Sequence, residues 1–149
     1  MRTAFVTATV LAIILTSRVS ARPDQAPAQV RAHADFQGYW MGVDPVDGGD
    51  ARRSLIRRSD GKYALAARDS ALTLCDGTDR GFASFNDGTL IARNVMQSNT
   101  LTITCFDNGA TVVLHTIYEL VDDGLMLETA TLADGSPVST IVLHKVSTN

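Results

Sequence analysis

Thr111-Val-Val-Leu-His-Thr-Ile-Tyr-Glu-Leu-Val-Asp-Asp-Gly-Leu-Met-Leu-Glu-Thr-Ala-Thr-Leu132 contains two β-type runs separated by Asp123-Gly124. In the first run Val112, Leu114, Thr116, Tyr118 and Leu120 share one face, while His115 and Glu119 stand beside Val113 and Ile117 on the other. A period of two is that of a strand, and the first face is the better candidate for the core. Asp-Gly adopts the positive φ angles of a tight hairpin, so the two runs are antiparallel neighbours.

The same punctuation recurs outward from this hairpin, at Asp47-Gly48-Gly49-Asp50, Ser59-Asp60-Gly61, Asp76-Gly77, Asn86-Asp87-Gly88, Asp107-Asn108-Gly109 and Asp134-Gly135. Between these turns the spacing predicts strands at 37–43, 52–58, 62–68, 71–75, 81–85, 89–95, 101–106, 111–121, 125–132 and 138–146. No helical stripe is sustained over three turns. In the last run Ile141 and Leu143 oppose Val138, Val142 and His144, so either face is apolar enough to turn inward. Eight to ten short strands joined by hairpins must hide their edges, and an antiparallel up-and-down barrel does so by closing on itself. The fold class is all-β, with such a barrel as the leading architecture and a β-sandwich as the alternative.

The chain begins differently. Arg2, an apolar run over residues 4–15 and the small residues of Val19-Ser20-Ala21 form the pattern of a cleaved signal peptide, residues 1–21. The apolar run is short for a membrane span, which needs about 20 residues, and no later stretch is continuously apolar. Residues 22–35, with Pro23, Pro27 and several alanines, read as a flexible lead-in to a domain spanning 36–149. The expected location is secreted or periplasmic. The net charge of −3 offers no attraction to nucleic acid. In an oxidising compartment the two cysteines read as one disulfide, Cys75 to Cys105, rather than as reactive thiols, since no histidine lies near either in sequence.

Polar groups that could carry chemistry each have a plainer reading. Arg52, Arg53, Arg57 and Arg58 form either a charged strand edge or an anion-binding stripe. Asp44, Asp47 and Asp50 recur every third residue around Gly48-Gly49, but their order is not that of an EF-hand, and a solvated turn accounts for them. Arg68 and Arg80 flank an Asp-rich segment, where they would either offer planar forks to an anionic ligand or fasten the loop through Asp69, Asp76 or Asp79. His33, His115 and His144 are dispersed, so no metal set is assigned, and no cofactor is implied.

Phe36-Gln37-Gly38-Tyr39-Trp40 resembles the Phe-x-Gly-x-Trp opening strand of lipocalins and, as Gly-x-Trp, that of the wider calycin group of small barrels. The resemblance implies an indole at Trp40 shut inside one end of the barrel, a glycine permitting close backbone approach, and a basic side chain packed across the ring, with Lys145 or an earlier arginine in that part. It covers five residues. Met41 stands where lipocalins often carry tyrosine, and the middle of the chain has no clear Thr-Asp-Tyr segment, so the likeness is to a reduced barrel rather than a typical retinoid or lipid transporter. The same group includes a periplasmic metalloprotease inhibitor of similar size with a single bridge, whose inhibitory N-terminal segment has no counterpart here.

The resulting expectation is a non-catalytic binding protein, holding a small molecule in or at the mouth of a barrel against Trp40, Tyr63 and Tyr118, with Arg68 and Arg80 at the rim. The alternative is a protein-interaction or protease-inhibitor-like module with a secreted partner. An enzyme would require an assembled acid, base and nucleophile, and no such set is legible.

Overall fold

The computed structural model describes residues 35–75 and 79–147, so the expected signal peptide, nearly all of the lead-in and Asp76-Gly77 lie outside the described residues. Among the described residues eight strands follow one another: β1 (Gly38–Val43), β2 (Asp50–Arg57), β3 (Tyr63–Leu72), β4 (Asp79–Ala92), β5 (Val95–Cys105), β6 (Thr111–Asp122), β7 (Leu125–Thr131) and β8 (Pro137–Ser147), with a 3-10 turn at Thr73–Cys75. Each pairs antiparallel with the next, and β8 returns to β1 to close an up-and-down barrel. That closure excludes the sandwich and leaves β2 without an edge to guard.

Closure depends on a glycine. Gly42 of β1 faces Leu143 of β8, and a Cβ at position 42 would run into the Val142 carbonyl oxygen. Close approach of the two backbones therefore requires the missing side chain.

Ten expected segments merge into eight strands for local reasons. Asn86-Asp87-Gly88 is not a turn but part of β4. The Asp87 carboxylate accepts a hydrogen bond from Ser98 Oγ at 2.6 Å, which ties it to β5. The β3–β4 register is irregular at Gly88, where a Cβ would meet Phe85 at 2.7 Å and Met96 and Tyr63 at 3.1 Å. The true reversal between β4 and β5 is at Arg93-Asn94, where Asn94 Nδ2 donates to the Leu120 carbonyl at 3.1 Å. Residues 62–68 and 71–72 likewise join in β3, and Thr73–Cys75 is a 3-10 turn rather than strand.

Alternation sorts the side chains. Leu114, Thr116, Tyr118 and Leu120 of β6 point inward as expected, and in β8 it is Ile141 and Leu143 that are buried while Val142 and His144 are exposed. At the end of the barrel where the chain enters, Phe36 and Tyr63 meet edge to face with ring centroids 5.7 Å apart. Tyr63 donates to Asp35 Oδ1 at 3.2 Å. Trp40 is fully buried there, its Nε1 donating to the Phe36 carbonyl at 2.9 Å, and Lys145 Nζ lies 5.0 Å from the centre of the indole. Gly38 has φ +143°, a conformation that glycine adopts and L side chains rarely do. This end is plugged. At the opposite end Cys75 and Cys105 are joined by a disulfide that ties the 3-10 turn to the last residue of β5. Among the described residues no helix is long and apolar enough to cross a membrane.

Candidate functional site

The unplugged half of the barrel contains a cavity of about 240 Å³. Its walls are apolar, from Ala83 of β4, Leu101 and Ile103 of β5, Leu114 of β6 and Ile141 of β8, and its mouth is framed by Val46, Leu74, Leu132 and Val138. The floor is charged. Arg53 of β2, Asp69 of β3 and Glu128 of β7 reach it from three strands, and Asp44 and Asp47, on either side of Val46 in the turn between β1 and β2, bring two more carboxylates to the mouth.

Arg53 is inward because β2 alternates Ala51, Arg53 and Leu55 on its buried face. In register it lies opposite Trp40 on one side and Ala67 on the other, so the guanidinium lies between the plugged half and the cavity. Its Nε and Nη2 donate to the two oxygens of Glu128 at 2.6 and 2.8 Å, a bidentate fork. Its Nη1 donates to Asp69 Oδ1 and, at 3.1 Å, to the Arg52 carbonyl. Burial opposes the charge of Arg53, but Glu128 and Asp69 outweigh it and hold the pKa well above its ordinary value. A buried pair of this kind is tolerated because the bidentate attraction and satisfied hydrogen bonds offset the desolvation of both charges.

The carboxylates outnumber the guanidinium. Burial raises the pKa of Asp69, and Glu128 and Asp44 add to that rise while Arg53 opposes it. Asp44 is likewise raised by burial, with Asp47 and Glu128 adding to it against the opposing hydrogen bond from the Val46 N–H and the charge of Arg53. Beneath this layer Tyr118, opposite Glu128 in the β6–β7 register, is fully buried, and its hydroxyl has no hydrogen-bond partner among the described residues. Burial first, and then Glu128, push its pKa well above the ordinary value.

Of the residues singled out from the sequence, Trp40, Tyr63 and Tyr118 are core rather than cavity lining. Arg68 is exposed on the outer face opposite Arg52. Arg80 belongs to β4, with its side chain outside the described ones. Within the arginine cluster, Arg52 and Arg58 are exposed and paired with Asp50 and Asp60 at 3.3 and 3.2 Å, pairs that contribute little. The Asp44-to-Asp50 spacing is a turn: Asp44 Oδ1 accepts from the Val46 N–H at 2.9 Å and Asp47 Oδ1 from the Gly49 N–H at 2.8 Å. Among the described residues no three histidine, cysteine or acidic side chains converge as metal ligands.

Comparison with protein-family models, curated proteins and solved structures returns no match. The cavity and its floor therefore carry the functional argument. The sequence marks Arg53 only as part of a charged stripe and Asp69 only as a loop-fastening acid, and it does not bring them together with Glu128, although one signal was present: an arginine flanked by Ala51 and Leu55 on one face of a strand must find an acidic partner inside the barrel.

Proposed function

We propose that this chain is an exported, lipocalin-like binding protein that takes up a small, mainly apolar molecule in the open half of its barrel. The observation that carries the reading is the cavity of about 240 Å³, walled by Leu101, Ile103, Leu114 and Ile141 and closed below by the Arg53 layer. An engineered apolar cavity of about 150 Å³ takes up benzene, so this one suits a single ring with a short substituent rather than a long lipid chain. The plugged end supports the family likeness: a buried indole with Lys145 over its ring fits what the Phe-x-Gly-x-Trp resemblance implies. The disulfide supports export to an oxidising compartment.

The test is calorimetry and native mass spectrometry of the purified protein against single-ring compounds, repeated on Ala83→Phe and Ala130→Phe, which place an aromatic ring in the cavity. The expected result is one-to-one binding to the parent protein that is lost in the filled variants, while the emission of Trp40 and the unfolding midpoint are retained. Equal binding to parent and filled variants, or none by any compound, overturns the proposal.

A further inference from the structure

We infer that the cavity selects a small organic cation, an amine carried on a single-ring body; the inference rests on the binding role proposed above and names the chemical class of its ligand. Among the described residues the cavity lining holds one basic side chain, Arg53, against four acidic ones, Asp44, Asp47, Asp69 and Glu128. The guanidinium is spent: of its five N–H groups four are engaged, two by Glu128, one by Asp69 and one by the Arg52 carbonyl. One Nη2 N–H is left over, and an anionic ligand reaching it would do so beside Glu128 while facing three further carboxylates. The acids, by contrast, retain capacity. Asp44 and Asp47 each use Oδ1 on a turn N–H, and Asp69 uses Oδ1 on Arg53. The second oxygen of each has no hydrogen-bond partner among the described residues. An ammonium placed between the β1–β2 turn and β3 would find these oxygens, and its apolar body would lie across the cavity against Leu101, Ile103 and Leu114.

Among the described residues the cavity lining carries an excess of partly buried negative charge, and a charge-assisted hydrogen bond is worth about twice a neutral one. Bound cation would also relieve the mutual repulsion of Asp44, Asp47, Asp69 and Glu128.

Matched probes test this. Phenethylamine, 2-phenylethanol and phenylacetate have similar shape and differ in charge, and each is titrated calorimetrically into the full chain at neutral pH. The expected order places the amine about tenfold tighter than the alcohol, with the acid weakest. In Asp44→Asn and Asp69→Asn the advantage of amine over alcohol shrinks several-fold, and raised salt narrows it in the parent. If alcohol or acid binds as tightly as the amine, the charge inference is overturned and the cavity reading stands. If none of the three binds, and Ala83→Phe changes nothing, both fall.

Discussion

Arg53 and Glu128, 75 residues apart in sequence, face each other inside the barrel through two parallel hydrogen bonds of 2.6 and 2.8 Å, with both side chains almost wholly buried. The pair joins β2 to β7 across the lumen, whereas the sheet joins them only through other strands. It separates a packed half, centred on Trp40 and Tyr118, from the open half.

Removing one partner leaves the other charged and buried. Arg53→Met is expected to cost about 3–5 kcal/mol, because Glu128 loses its only buried counter-ion among the described residues. The double change Arg53→Met with Glu128→Leu should recover part of that loss, since an apolar pair of similar volume carries no desolvation penalty while Asp69 still lacks its guanidinium. Urea unfolding of the single and double variants measures both. A double variant no more stable than the single one would show that the pair does more than neutralise itself.

Barrel closure predicts a contrast between two glycines. At Gly42 the obstacle to a Cβ is the Val142 carbonyl oxygen, a backbone atom fixed in the β1–β8 ladder. At Gly88 the nearest obstacle is the Phe85 ring, followed by the Met96 sulfur and the Tyr63 Cβ, and the closest of these belongs to a side chain rather than to backbone. Gly42→Ala should therefore destabilise by about 3 kcal/mol and Gly88→Ala by about 1, within the range found for overpacked sites. Thermal unfolding ranks them, and the reverse order would mean that β1 and β8 close less tightly than their register implies.

The disulfide Cys75–Cys105 spans a separation of 30 residues. On a chain-entropy basis a loop of that size contributes about 3.5 kcal/mol. Because the bridge holds the 3-10 turn, and with it Leu74 at the cavity mouth, its replacement by Cys75→Ala and Cys105→Ala should lower ligand affinity as well as stability. The indole of Trp40, at the opposite end, should keep its buried emission under conditions where the variant remains folded.

How much of this was legible depends on what each residue answers to. The hairpins at Asp60-Gly61, Asn108-Gly109, Asp123-Gly124 and Asp134-Gly135 were readable because their signal is local, a short polar side chain and a glycine bending their own backbone. Asn86-Asp87-Gly88 carries the same local signal and fails, since Asp87 is held by Ser98 on the neighbouring strand. Arg93-Asn94 turns without a glycine to mark it. The inward face of β6 was readable because its outward face carries His115 and Glu119. In β7 both faces are apolar in part, so nothing local told that Met126, Glu128 and Ala130 would be the buried set. Choosing them required the Arg53 partner on a strand far away in sequence. The floor of the cavity was hidden for that reason, and the barrel around it was not.

Acid provides the last test, and the signs can be worked out group by group. Asp69 and Asp44 have folded pKa values raised above the ordinary 3.8, so the native state takes up their protons before the unfolded chain does. Stability from these two therefore rises as pH falls from neutral through their folded values and is complete below 3.8. The groups facing them are Arg53 from β2, Glu128 from β7 and Asp47 from the turn, and Arg53 keeps its charge throughout. Asp60, Asp87 and Asp134 act in the opposite sense. The Lys62 N–H lowers Asp60 and the Ser136 N–H lowers Asp134, while at Asp87 hydrogen bonds from Ser98 and Thr100 outweigh its burial. Their contribution, present above 3.8, is lost as pH falls through their folded values. The urea midpoint should therefore hold or rise on mild acidification and fall only below the ordinary carboxylate range. Asp69→Asn removes one proton-binding group from the floor while keeping an acceptor for Arg53, so its mild-acid rise should be smaller. A midpoint that declines steadily from neutral pH, equally in parent and variant, would show that the floor of the cavity is not where the excess negative charge resides.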